Sequence, residues 1–234
     1  MIILQAKNNA QFNLSKRLAT TAAAVRWGGV VADVGCDHGK LPAFLCVTER
    51  VQKAYAIDIS APSLEKARRL FDELEIKNAE TILCDGLPEQ CRDATDIVIA
   101  GIGADVIIDI IERAPWLKSS LIRLVLVPSS QHARLRRYLA QNGFVTEDET
   151  AISESGQCYA VMTVSFDGVS RTLQNGEDEM GLIRPVNLDS YAYVRHTLNK
   201  LTVALAGQRS ASSPDTDMIK YLEECIAYIE RTKK

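Results

Sequence analysis

The residues best equipped for chemistry lie in one stretch, Asp33-Val34-Gly35-Cys36-Asp37-His38-Gly39-Lys40-Leu41-Pro42, directly after the apolar run Val30-Val31-Ala32. A β-branched run that breaks into a Gly/Asp turn and resumes with helix-compatible residues is how a buried parallel strand hands over to a helix around a nucleotide. Gly35 and Gly39 leave room for a ligand against bare backbone, while the turn's N–H groups and the helix start present partial positive charge. Asp37 stands where a dinucleotide turn wants another glycine, so a pyrophosphate would meet a carboxylate there. That disfavours a nicotinamide dinucleotide. Asp33, Asp37 and His38 suit a ligand with a positively charged or zwitterionic portion, and S-adenosylmethionine carries a sulfonium, an ammonium and a carboxylate. The alternative is an ordinary strand-turn-helix whose glycines serve only the bend.

The next elements must present their ends to the same place. Asp58 closes a second apolar run, Ala54-Tyr55-Ala56-Ile57-Asp58-Ile59, about 20 positions past the glycine turn. A carboxylate there accepts from ribose hydroxyls, because both its oxygens only accept. Its competing role is to cap the helix that begins at Ala61-Pro62, which Ser60 fills better. A third strand over 80–84 delivers Asp85-Gly86-Leu87-Pro88, where Asp85 either accepts from an adenine amino group or simply makes an Asp-Gly turn. Asp96-Ile97-Val98-Ile99-Ala100 then repeats the strand-into-glycine design. Its turn, Gly101-Ile102-Gly103-Ala104, leaves space beside a cofactor's reactive end for the molecule being modified, and no general base is assigned there. Asp105 either orients an acceptor or simply begins the helix over 106–112, the latter being favoured. The Asp/Asn-Pro-Pro-aromatic loop that grips an exocyclic amino group in many amino methyltransferases is absent.

Around this frame, helical spacing over 13–26 puts Leu14, Leu18, Ala22 and Val25 on one side and Lys16, Arg17 and Arg26 elsewhere, with Asn13 or Ser15 as cap. That basic face is either solvated or meets a polyanion beside the pocket. A helix over 62–74 turns Leu64, Ala67, Leu70, Phe71 and Leu74 inward. A fifth strand over 123–127 ends at Pro128-Ser129-Ser130, and the helix after it carries His132, Arg134, Arg136 and Arg137, the best electrostatic case for binding phosphate. Strands over 143–152 and 158–164 flank a hairpin turn at 154–157. Five parallel strands followed by an antiparallel hairpin form the α/β, Rossmann-like sheet of a class I methyltransferase, whereas a nicotinamide domain more often adds a further parallel strand.

Residues 167–185 are polar and read as a loop or linker. Beyond it, Leu188, Tyr191, Leu198, Leu201 and Leu205 follow helical spacing, Gly207 to Ser213 break it, and a second helix capped by Ser213 presents Met218, Leu222, Cys225 and Ile229. These stripes fit a small C-terminal helical hairpin in coiled-coil-like contact. The expected division is a donor-binding domain over 1–167 and a helical domain over 168–234.

Composition sets outer limits. With 234 residues, 47% of them hydrophobic, the chain can bury one sizeable core and a small appendage. A formal net charge of -3 means that any nucleic acid must be met by a local basic patch. Six cysteines without a Cys-x-x-Cys pair read as small buried residues in a reducing compartment. His38, His132 and His196 are dispersed, so no metal is expected. The amino-terminal start is too brief for a signal peptide and no apolar run reaches membrane-spanning length, which predicts a soluble cytoplasmic protein.

With these pieces placed, the chain resembles the bacterial tRNA (adenine(22)-N1)-methyltransferase family, TrmK. The resemblance runs through Leu14-Ser15-Lys16-Arg17-Leu18, Ala32-Asp33-Val34-Gly35-Cys36-Asp37-His38 with Leu41-Pro42, Asp85-Gly86-Leu87, Ala100-Gly101-Ile102-Gly103 and Gly156-Gln157-Cys158-Tyr159, and reaches the terminal hairpin. It implies S-adenosyl-L-methionine as donor and N1 of an adenine in the tRNA D-arm region as acceptor. By position, Asp33, Gly35, Cys36, Asp37, His38, Asp58, Ile59, Asp85, Gly86 and Ala100 would hold the donor, and Gly101, Ile102 and Gly103 would border the acceptor. Lys16, Arg17, Arg26, Arg134, Arg136 and Arg137 are the RNA-phosphate candidates. The family's Ala-Gly-Met-Gly-Gly loop is here Ala-Gly-Ile-Gly-Ala, and its Gln-Pro-Asn-like segment is Val127-Pro128-Ser129. The rival readings are a methyltransferase of a small molecule and a non-catalytic protein that binds the donor or RNA.

Overall fold

The computed structural model of the protein describes residues 14–232. Seven strands form one sheet in the order β3-β2-β1-β4-β5-β7-β6. They are β1 Gly29–Val34, β2 Val51–Asp58, β3 Ala79–Leu83, β4 Asp96–Ala100, β5 Arg123–Val127, β6 Phe144–Glu154 and β7 Gln157–Phe166. The first five run parallel, and β7 enters antiparallel between β5 and β6. The long helices are α1 Lys16–Ala24, α2 Lys40–Val47, α3 Ala61–Glu73, α4 Ala104–Arg113, α5 His132–Gln141, α7 Leu188–Ser210 and α8 Thr216–Thr232, with a single turn, α6 Glu177–Met180, before the last pair. The order reverses between β1 and β4, so the loops leaving their carboxyl ends diverge and open a crevice, the usual ligand position in such sheets.

The strands alternate with period two, and the two faces bury different residues. Val34, Ile57, Ile99 and Leu126 point to the face covered by α4, α5, α7 and α8. Val31, Val98, Val125 and Val127 point to α1 and α2. On that second side Ala56 meets Leu64, Ala67 and Phe71 of α3. The helix starts are fixed by side chains: Ser15 accepts from Leu18 N–H and Ser60 from Ser63 N–H, with Pro62 in the first turn of α3. Asn13, the other expected cap, lies outside the described residues.

Two expectations fail in the C-terminal third, and a third needs a qualification. Residues 167–185 run as loop with one helical turn, yet Asp178, Glu179, Met180 and Ile183 are buried, and the carbonyls of Asp178 and Glu179 satisfy a buried Arg136 guanidinium. The buried stripe of α7 is Ser190, Tyr193, Val194, Thr197 and Leu201, a register set by Tyr193, whose hydroxyl accepts from Arg136; Leu188 and Tyr191 face outward. Asp215, not Ser213, caps α8, accepting from the N–H groups of Asp217 and Met218. Tyr193, Val194, Leu201, Leu222, Cys225 and Ile229 share one buried cluster with the sheet. Among the described residues no helix is long and apolar enough to cross a membrane.

Candidate active site

At the carboxyl ends of β1 and β4 one cleft is lined by Asp33, Gly35, Cys36, Asp37, His38 and Ala100, together with Arg17, Leu18, Lys40 and Leu41. The chain turns there through two left-handed positions, Gly35 at φ 76° and Asp37 at φ 51°. An aspartate tolerates that region better than most residues. Four of the turn's peptide donors are already bonded within the fold. Gly35 and Cys36 N–H both donate to Ile57 O, at 2.8 and 3.0 Å, Asp37 N–H donates to Asp58 Oδ2 at 3.0 Å, and Gly39 N–H donates to Cys36 O. The third position of α2 is Pro42, which has no N–H. With these four donors bonded within the fold and Pro42 lacking one, the turn is poorly suited to pyrophosphate. Gly39 is also reassigned: a Cβ there would stand 2.7 Å from the Ala67 Cβ, so its bareness serves the packing of α2 on α3.

What the cleft offers is charge. Asp33 is buried, and its carboxyl accepts no hydrogen bond from any described residue. Burial, then repulsion by Asp58, raises its pKa from 3.8 to about 7, against the opposing pull of Arg17. A cationic ligand group favours the ionised carboxyl. Donor affinity is therefore expected to strengthen as pH rises through about 7 and to weaken below it, where binding must expel a proton. Titration calorimetry of S-adenosylmethionine between pH 5.5 and 8 checks this; Asp33→Asn binds weakly and flattens the profile. Unchanged pH dependence in that variant would remove Asp33 from the site.

Asp58 has two structural duties, accepting Asp37 N–H through Oδ2 and Ser60 N–H through Oδ1 at 2.8 Å. Each oxygen keeps a second lone pair for a ribose hydroxyl. His38 Nε2 lies 3.0 Å from Lys66 Nζ and 3.3 Å from Asp37 Oδ1. Cys36 is buried, and desolvation followed by the fields of Asp33 and Asp58 raises its pKa, so it contributes a neutral wall. Ile59 and Leu83 stand 71% and 60% exposed at the neighbouring carboxyl ends of β2 and β3. Both are large apolar side chains left bare next to Asp58. Leu83 escaped sequence reading because a strand-end leucine looks like core.

Asp85 and Gly86 are not among the residues that line this cleft. The Asp85 side chain is exposed, and Arg113 donates to its carbonyl at 2.9 Å and approaches its carboxylate at 3.5 Å. Gly86, at φ 92°, leaves room for that guanidinium, 3.0 Å from where a Cβ would be. Arg113 carries no local signal, since it sits at the far end of α4.

The acceptor-loop candidates abut the donor turn. Gly101 N–H donates to Val127 O and Ser129 N–H to Ile102 O, so Val127-Pro128-Ser129 and the loop form one unit. Ile102 Cδ1 would lie 2.7 Å from a Gly35 Cβ; the isoleucine occupies the space that Gly35 leaves. Gly103 opens α4 and has Ser130 Oγ beside it.

Comparison with known proteins agrees with this geometry. A methyltransferase-domain family model matches residues 14–162. The tRNA (adenine(22)-N(1))-methyltransferase of Bacillus subtilis is 29% identical over 169 residues, 68% of this chain and 71% of that one. A Mycoplasma pneumoniae protein named "Putative tRNA methyltransferase" is 30% identical over 83% of this chain and 90% of its own. The chain belongs to the methyltransferase-domain family and, within it, to the TrmK family. A Streptococcus pneumoniae structure in complex with S-adenosyl-L-methionine superposes with a TM-score of 0.77 at 25% identity, covering 91% of this chain and 99% of that one.

Within this methyltransferase the RNA-phosphate candidates separate. Arg136 is withdrawn: it is 3% exposed and enclosed by Glu149, Tyr193 and two carbonyls. Arg26 is withdrawn too, since it pairs with buried Asp96 at 3.1 Å and donates to Thr95 O and Leu121 O, at the amino ends of the strands and away from the cleft. Arg134 pairs with Asp105, Arg137 with Asp178 at 3.1 Å while stacking on Tyr221, and Lys16 with Asp189 at 2.6 Å. Sequence reading counted cations on α5 without the carboxylates that the fold brings to them. Arg17 alone of the six has no such partner and lies in the donor cleft. His132, which opens α5, is held neutral, its pKa pushed down to about 3 by burial and then by Arg136, Lys200 and His196.

Proposed function

We propose that this protein transfers the methyl group of S-adenosylmethionine to N1 of adenine 22 in the D-arm region of tRNA. The observation that carries the donor half is the cleft itself: four of its peptide donors are bonded within the fold, and it presents a buried carboxyl and a guanidinium, which match a zwitterionic amino-acid end. The acceptor half draws on the activity named for the Bacillus subtilis relative.

The residues that would hold the donor are Asp33 at the amino-acid end, Asp58 at the ribose and Ile59 with Leu83 at the purine, with Asp85 and Gly86 at its outer edge. S-adenosylmethionine supplies an electrophilic methyl carbon on a sulfonium; N1 of adenine has a lone pair in the neutral base, so the bond from carbon to sulfur breaks as the bond to N1 forms. No residue need remove a proton before attack. The protein's work is positioning and exclusion of water, in which Gly101, Ile102 and Gly103 border the acceptor. The base must leave its stack to reach the cleft, which requires a grip on neighbouring phosphates. Lys16, Arg134 and Arg137 retain half-exposed side chains for that grip, on a unit spanning the division at 167/168.

Each of these cations already faces a carboxylate, so its share of RNA affinity is small. Arg134→Glu is expected to weaken tRNA binding and lower the slope of log affinity against log salt by about one or less. An unchanged slope would take α5 out of the interface. The activity is tested by incubating the protein with labelled S-adenosylmethionine and unmodified tRNA and identifying the product nucleoside. The expected product is 1-methyladenosine. Transfer of label to a small molecule with none to tRNA would replace the acceptor.

A further inference from the structure

The acceptor loop lies between two helix starts. The N-cap residues, Gly103 for α4 and Gln131 for α5, make no side-chain cap bond. The two starts are neighbours, since Ser129 N–H donates to Ile102 O at 2.9 Å and Ser130 Oγ would lie 3.3 Å from a Cβ on Gly103. Helix starts without side-chain caps leave peptide N–H groups and a positive field at this mouth. One carboxylate stands against that field. Asp105, in the first turn of α4, is the single acidic residue within 101–108 and within 128–134. Its partner is Arg134, in the first turn of α5, and the two side chains are 53% and 63% exposed. The pair therefore bridges the two helix starts over the loop that borders the acceptor.

We infer that Asp105 is a catalytic residue: its carboxylate accepts from the 6-amino group of the target adenine and stabilises the charge that methyl transfer puts on the ring. The assignment rests on adenine N1 being the acceptor. As the carbon–sulfur bond breaks, its electron pair stays on sulfur, the N1 lone pair forms the new bond, and no proton is lost, so the sulfonium's charge passes to the base as a 1-methyladenine cation. Resonance places part of that charge on the 6-amino nitrogen, and its N–H groups become stronger donors. A carboxylate on those donors binds the transition state more tightly than the neutral base, which is what raises a rate. It also offsets the two helix starts, whose field opposes a cation at this place. Without RNA, Arg134 occupies Asp105. An exposed pair of this kind holds weakly, so an incoming phosphate takes Arg134 over and frees the carboxylate for the base.

The test is single-turnover methylation, at saturating protein and donor, of two tRNA transcripts that carry adenine or unsubstituted purine at position 22. Purine keeps N1 and lacks the amino group; its lower basicity slows every protein alike, so the comparison is between proteins. Asp105→Ala is expected to slow the adenine transcript by roughly 10- to 100-fold and the purine transcript by no more than about threefold. Asp105→Asn, whose amide oxygen still accepts, should fall between. Arg134→Met should weaken tRNA binding and keep the wild-type difference between transcripts. Equal slowing of both transcripts by Asp105→Ala, or an unchanged rate, would overturn the proposal, as would the Asp105→Ala pattern appearing in Arg134→Met, which would make the bridge itself the working part. Should wild type label purine too slowly to measure, the affinities of transcripts carrying adenine or 1-methyladenine, measured with S-adenosylhomocysteine present, decide: wild type prefers the cationic base by roughly 10-fold and Asp105→Ala loses that preference, whereas a retained preference refutes the role. Wild-type protein that labels neither transcript would refute the acceptor reading itself, and the proposal with it.

Discussion

Asp58→Ala is expected to weaken binding of S-adenosylmethionine by roughly 100-fold or more, because hydrogen bonds to a charged group contribute about 1.5–3 kcal/mol each and a ribose diol makes two. The same carboxylate also organises the protein. It accepts Asp37 N–H at 3.0 Å and Ser60 N–H at 2.8 Å, so its loss frees the donor turn as well as the ribose site. Asp58→Asn separates the two effects. Its amide oxygen can keep one of the peptide contacts, yet it offers one acceptor atom where the carboxylate offers two. Calorimetric affinities, with melting temperatures measured alongside, decide the matter. Donor affinity unchanged in Asp58→Ala would exclude Asp58 from the site.

The second large effect falls on stability. Arg136 and Glu149 are both buried and meet through two contacts, Nε to Oε1 at 2.8 Å and Nη2 to Oε2 at 3.1 Å. The remaining guanidinium donors go to Tyr193 Oη and to the carbonyls of Asp178 and Glu179, and Leu182 N–H donates to Glu149. Desolvation alone would favour the neutral guanidine, but the facing Tyr193 and Glu149 hold Arg136 charged, with its pKa above the usual value. Arg136→Met leaves Glu149 as an uncompensated buried charge and is expected to cost about 3–5 kcal/mol in denaturant unfolding. Arg136→Met with Glu149→Leu should regain most of that loss, since a buried pair replaced on both sides is often neutral. A cost near zero for the single change would show that the network does not join the sheet to the segment before α7.

The difference between these two sites explains what the sequence could reveal. The five parallel strands and the crevice were legible because a buried parallel strand is a continuous apolar run, and the first four runs lead into Asp or Gly while the fifth stops at Pro128. Asp33, Asp37 and Asp58 were legible because local chain order alone brings them to one edge. Arg136 was not. On α5 it looks like its neighbours Arg134 and Arg137, and only the return of β6 with Glu149 and the folding-back of 178–179 make it a core residue. Arg17 shows the same limit in reverse, since a basic helix start gives no sign that its guanidinium enters the donor cleft over Tyr159. The polar tract at 167–185 read as loop or linker, with no sign of its buried residues, for a related reason. Asp178 and Glu179 are buried through partners 40 or so residues away, which composition does not record. Gly39 was read as ligand-facing, but its bareness answers to Ala67.

Methyl transfer from labelled S-adenosylmethionine to two tRNA transcripts that differ only in adenine or guanine at position 22 tests the central claim most directly. The account predicts label in the adenine transcript, recovered as 1-methyladenosine, and none in the guanine transcript. Equal labelling of both, or no labelling of either by protein that binds the donor, would contradict it.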